Sequence, residues 1–139
     1  TSAGALHELS TSLRVSITPT HASSILFLEC SAYFCSPNTI NLYWAHFYDV
    51  TNTSVPFLPP ASGSRSRVHW SARVSDDDAN DFHNMNFTVA GTAGSTTART
   101  YTIWHGTEGA TAEFLASTLS TATGVTAPIF FSVTEIYNP

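Results

Sequence analysis

Ser24-Ile25-Leu26-Phe27-Leu28-Glu29-Cys30-Ser31-Ala32-Tyr33-Phe34-Cys35 alternates without a break. In an extended chain, successive side chains point to opposite sides. One side therefore carries Leu26, Leu28, Cys30, Ala32 and Phe34, and the other Ile25, Phe27, Glu29, Ser31 and Tyr33. Both sides are partly apolar. After the turn signal Ser36-Pro37-Asn38, the pattern resumes with Ile40, Leu42, Trp44, His46 and Tyr48 on one side and Tyr43, Ala45 and Phe47 on the other. These two strands predict a sheet protein in which a single sandwich core covers one face of each sheet and leaves the second in need of a partner. Identical subunits are the simplest supplier of that cover. Phe27, Tyr33, Tyr43 and Phe47 are the residues expected at such a contact.

The remaining chain has the same character. Leu13, Val15 and Ile17 alternate with polar neighbours ahead of Pro19; Val68, Trp70, Ala72 and Val74 oppose Arg67, His69, Ser71 and Arg73. Met85, Phe87 and Val89 define a further strand before the Gly-rich turn at 91–95. Tyr101 and Ile103 alternate with Thr100, Thr102 and Trp104, and short strands are expected near 112–115 and at 128–137. Residues 51–64 hold three prolines and read as a long surface connection with a short edge segment around Val55 to Leu58. About eight short antiparallel strands without an amphipathic helix predict an all-β, single-domain, jelly-roll-like β-sandwich over residues 11–139, preceded by an N-terminal arm at 1–10.

Composition agrees. The 139 residues suit one domain, and 20 Thr and 18 Ser with no Lys favour β structure. Charged residues are 11% of the chain, against about 25% in an average soluble domain. A net charge of −5 excludes the basic stripe that a nucleic-acid binder needs, and no apolar run reaches the roughly 18 residues of a membrane span. The chain opens at Thr1 without Met or a basic-plus-apolar leader, which reads as a processed, trimmed or incomplete start. Cys30 and Cys35, on opposite faces of one strand and roughly 16 Å apart, lie well beyond disulfide reach and read as free thiols.

No motif in the chain carries chemistry outright. Asp76, Asp78 and Asn80 alternate as Ca²⁺ ligands do, but the Gly and the twelfth-position Glu of an EF-hand are replaced by Asp81 and Phe87, so a solvated loop is expected. The six histidines are scattered without metal-ligand spacing, and there is no GxSxG elbow. Neither a cofactor nor a metal is expected, and the chain reads as a non-enzyme. Arg65, Arg67, His69 and Arg73 lie close to Asp76 and Asp78, giving neighbouring positive and negative surfaces. These six residues are candidates for surface recognition, the alternative being a solvated strand face with weak internal ion pairs. Two sequons, Asn52-Thr53-Ser54 and Asn86-Phe87-Thr88, are of the kind that a Ser/Thr-rich chain contains by chance.

Thr11-Ser12-Leu13-Arg14-Val15-Ser16-Ile17-Thr18-Pro19-Thr20-His21-Ala22-Ser23-Ser24-Ile25-Leu26 resembles the opening of a β-rich module of tailed-bacteriophage virion proteins, found in tail-fibre tips and in head or tail appendages. Ser95-Thr96-Thr97-Ala98-Arg99-Thr100-Tyr101-Thr102-Ile103 and Phe131-Ser132-Val133-Thr134-Glu135-Ile136 resemble its closing hairpin and C-terminal strand. The family's Lys after the double Ser is Ile25 here, and its penultimate-strand Asn-Arg pair is replaced by Glu113-Phe114-Leu115-Ala116. The resemblance implies a compact jelly-roll-like sandwich that works as a homotrimer on the outside of a virion; other capsid or tail proteins and a host surface glycan are the partners expected. The leading expectation is a trimeric fibre tip or appendage that reads the host through loops at 51–64, 76–81 and 117–126. A capsid decoration protein, held to its neighbour by Thr1 to Ser10, is the second. A small glycan-binding or glycan-active domain is the third.

Overall fold

The structure, a computed structural model, describes residues 6–35, 42–63, 67–73, 82–108, 113–114 and 129–137. In chain order its elements are β1 (His7–Glu8), a 3₁₀ turn (Thr11–Leu13), β2 (Val15–Ile17), β3 (Ile25–Cys35), β4 (Leu42–Asp49), β5 (Trp70–Ala72), β6 (Phe82–Thr92), β7 (Arg99–Glu108), β8 (Glu113–Phe114) and β9 (Phe130–Ile136). All pairings among them are antiparallel. The fold is the all-β sandwich that the alternating pattern predicts.

In the first sheet β7 pairs with β4, β4 with β5, and β1 and β2 both pair with β7. In the second, β3 lies between β6 on one side and β8 and β9 on the other. Most partners are far apart in sequence: Leu28 faces Val89 and Val133, and Phe47 faces Ile103. The chain thus crosses between the sheets instead of folding as local hairpins. β7 and β9 lie in different sheets.

The core forms where the inward halves of the alternations meet. Leu26, Leu28, Cys30, Ala32 and Phe34 of β3 and Met85 and Phe87 of β6 pack against Tyr43, Ala45 and Phe47 of β4 and Tyr101 and Ile103 of β7, all buried. The Phe34 and Tyr43 rings stack across the sheets at 4.4 Å, and Phe47 meets Phe87 at 4.5 Å and Phe131 at 5.5 Å. Fully burying one such side chain contributes about 1.5–3 kcal/mol. Cys30 is free within this core, and burial pushes its thiol up to about 12. β3 runs unbroken from Ile25 to Cys35.

Three expectations change here. Tyr43 and Phe47, expected at a subunit contact, are fully buried inside one chain. β4 turns its Tyr43 side inward because that side is opposite Thr107, His105 and Ile103 on β7 and meets Phe34, Phe87 and Phe131 of the other sheet. Second, the segment expected as an arm at 1–10 is part of the sheet where it is described. His7 and Glu8 pair with His105 and Trp104, the Leu9 N–H donates to the Ile103 carbonyl at 2.8 Å, and Leu9 packs on the core. Third, the edge segment expected around Val55 to Leu58 in the Pro-rich 51–64 connection is not a strand; there Phe57, with φ of 52°, packs against the core. Gly91 makes that possible, because a side chain there would occupy the space of the Phe57 ring.

Candidate functional site

The alternation that buries Leu26 to Phe34 turns Ile25, Phe27, Glu29, Ser31 and Tyr33 outward. On the flanking strands the register sets Asn84 to Thr92 of β6 and Phe130 to Ile136 of β9 beside them. This outer face has two zones. At one end Ile25 lies between Thr92 and Ile136, and Phe27 between Ala90 and Thr134. Ile136 is 50% exposed, and the neighbouring Tyr137 ring, 54% exposed, meets His21 at 4.4 Å. Glu135 ties this end down: it accepts from the Thr20 N–H and hydroxyl, both at 2.8 Å. The Ser24 hydroxyl, with Thr20 and His21, holds the Glu135 carboxyl below the ordinary range.

At the other end Glu29 lies between Thr88 and Ser132, Ser31 between Asn86 and Phe130, and Tyr33 opposite Asn84. Here the face sinks into an open cleft of about 520 Å³, lined by Glu29, Ser31, Asn86, Thr88 and Phe130, with Cys30 and Phe87 completing the floor. Phe130 is 57% and Tyr33 41% exposed. The cleft thus combines one carboxylate, one carboxamide and hydroxyls with an exposed aromatic ring at its rim. Among the described residues no cation pairs with Glu29.

The outer face of the other sheet also carries aromatic residues, and these pack on their neighbours, with Leu42 exposed at the start of β4. Tyr48 stacks on Trp104 at 4.3 Å, and Trp44 lies over Gly106, where a Cβ would come within 2.6 Å of its indole. His46 and Thr102 are buried beneath this layer. Glu8 takes two bonds of 2.8 Å from Arg14, which hold its carboxyl below the ordinary range, helped by the Thr102 hydroxyl.

The residues expected to act divide among these places. Phe27 and Tyr33 lie on the exposed face, at opposite ends of it; Tyr43 and Phe47 are in the core. Arg67 and Arg73 are exposed, whereas Arg65, Asp76 and Asp78 lie outside the described residues, as do Asn80 and the loops at 76–81 and 117–126. His69, expected at a recognition surface, is half-buried and has a structural task. Its Nδ1 accepts the Phe47 N–H at 3.0 Å just where β5 stops pairing with β4, and its ring packs at 5.7 Å from both Phe47 and His46. Burial first, then the nearby His46, push its pKa down to about 4, partly offset by the Pro56 carbonyl. Among the described residues no three His, Cys, Asp or Glu side chains gather as a metal site would.

Sequence reasoning did not single out Glu29, Ser31 or Phe130, and met Asn86 and Thr88 only as parts of a chance sequon. Each sits at an outward position of its own strand, which the alternation shows. That they converge depends on pairing between strands more than 50 residues apart, of which a single sequence carries no local signal.

Comparison with protein-family models, with curated proteins and with solved structures finds no match to this chain.

Proposed function

We propose that this chain is a non-enzymatic structural protein of a bacteriophage virion surface, a trimeric appendage or fibre tip that contacts the host. The resemblance of residues 11–26, 95–103 and 131–136 supplies the virion setting. The observation that carries assembly is the apolar end of the β6–β3–β9 face, where exposed Ile136 and Tyr137 adjoin the half-buried Ile25 and Phe27. Contiguous exposed apolar surface on a sheet face marks an interaction site. A cyclic contact between copies of this patch covers it without leaving an open edge. Phe27 keeps its expected place in that contact; Tyr33 lies outside it, beside the cleft.

Sedimentation equilibrium at micromolar concentration tests the assembly. A mass near three times 15.0 kDa is expected for the native chain, and a single chain mass for Ile136→Lys, with far-ultraviolet circular dichroism unchanged. A native monomer overturns the proposal. Locating the protein in images of the whole particle then separates a tail position, as proposed, from decoration of the capsid shell.

A further inference from the structure

We infer that the cleft at the Ser31 end of the β6–β3–β9 face binds a neutral saccharide. The inference deepens the proposed host contact, on which it rests only for the source of the sugar. The site itself is argued from its own chemistry. A saccharide ring presents two kinds of surface: a ring face of C–H groups, which packs on an aromatic side chain, and an edge of hydroxyls, each both donor and acceptor. The cleft offers a counterpart to each.

Phe130 supplies the ring face. It is 57% exposed on β9, directly beside Ser31 in the ladder, and it lines the cleft. An aromatic ring left in water gains by covering its face with C–H surface, through both buried area and the attraction of the ring quadrupole for the slightly positive hydrogens. Tyr33, two residues along β3 on the same face and 41% exposed, gives a second amphipathic ring at the same end.

The polar lining supplies the edge. Glu29 accepts only, Asn86 both donates and accepts through its carboxamide, and the Ser31 and Thr88 hydroxyls do either. Adjacent strands are about 4.8 Å apart, so Thr88, Glu29 and Ser132 stand abreast, with Asn86 and Ser31 in the next row. Two oxygens on one carboxylate suit two neighbouring hydroxyls of a sugar, and an ionised acceptor makes the shorter, stronger kind of hydrogen bond. The volume of about 520 Å³ lies within the roughly 300–1,000 Å³ usual for small-ligand sites.

Charge narrows the class. The lining holds one carboxylate and no basic side chain, on a chain of net charge −5. A sialylated, uronic or phosphorylated sugar would bring a second anion against Glu29, with no basic side chain among the described lining residues to neutralise it. The site therefore selects neutral hexoses and N-acetylhexosamines. Arg67, His69 and Arg73, where sequence alone places recognition, are not among the residues that line it.

The test is ligand-observed NMR and calorimetry on the full chain with lactose, maltose, cellobiose and N,N′-diacetylchitobiose, with sialyllactose and a Lys-rich peptide as charged comparisons. Binding of at least one neutral disaccharide in the millimolar range or tighter is expected, and none of sialyllactose. Glu29→Gln and Phe130→Ala should each weaken it at least tenfold, with circular dichroism and melting temperature unchanged. Absence of binding to all four disaccharides, affinity that survives both substitutions, or preference for the Lys-rich peptide each overturns the inference. Sugar binding by a monomer would refute the trimer and leave the cleft; a trimer that binds no sugar would do the reverse.

Discussion

The two outer faces of the sandwich are built from similar side chains and end in opposite states. On the β5–β4–β7 sheet the aromatic residues are neighbours in the ladder: Tyr48 lies diagonal to Trp104 and stacks on it, and Trp44 has the bare backbone of Gly106 opposite to lie across. On the β6–β3–β9 sheet the ladder partners of the aromatic residues are small or polar. Phe27 sits between Ala90 and Thr134, Phe130 beside Ser31, and Tyr33 opposite Asn84. No aromatic pair forms among them, and Tyr33, Phe130 and Ile136 stay exposed. A strand apolar on both sides therefore does not by itself require a partner chain. What counts is whether cross-strand neighbours cover one another.

The sharpest way to break this contrast is to truncate one aromatic residue on each face. Trp104→Ala removes the lower half of the Tyr48 stack and uncovers buried Thr102 and His46, and should cost about 2–4 kcal/mol in urea unfolding. Phe130→Ala, measured at a concentration where the chain is monomeric, should stay within about 0.5 kcal/mol of the native protein. Equal losses would show that the exposed face contributes to the stability of the single chain.

Acid sharpens the contrast from another side, because the histidines that titrate abnormally belong to the first sheet. His105 is buried and pushed down to about 4 by desolvation first and then by His7; His69 is pushed down to about 4 as well. Their folded pKa values lie below the unfolded value near 6.5, so between those limits the unfolded chain binds more protons and stability rises with pH. The contribution is complete above about pH 6.5 and is lost as pH falls toward 4, on the order of 1–3 kcal/mol for His105. Thermal melts from pH 7 to 4 should show this loss, reduced in His105→Gln. A flat melting temperature across the range would mean that neither ring is buried in its neutral form.

The smallest expected effect falls on the residue that lets the first face close. Gly106→Ala places a methyl group against the Trp44 indole, and the crowding should cost about 1–2 kcal/mol. Gly94, with φ of 73° and open space around it, makes the useful comparison. Gly94→Ala is strained by its backbone alone, so tryptophan fluorescence should change in Gly106→Ala and not in Gly94→Ala. A red-shifted emission in both would place the strain in the backbone and not at Trp44.

The sequence alone determined what is local. The period of two in Ser24 to Cys35 separates the buried Leu26, Leu28, Cys30, Ala32 and Phe34 from the outward Ile25, Phe27, Glu29, Ser31 and Tyr33, because the strand pleat puts next-neighbours on one side whatever they pair with. It also determined that the chain is an all-β sandwich. In β4 both sides read as apolar, and only the pairing with β7 and the meeting with Phe34, Phe87 and Phe131 decided that Tyr43 and Phe47 face the core while Trp44 and Tyr48 close the outside. The tertiary structure alone likewise joined Glu29, Asn86 and Phe130 into one cleft and spent His69 on the β4 edge. Alternation is fixed by the geometry of a single strand, whereas register between strands is fixed by side chains that meet only after the chain has folded.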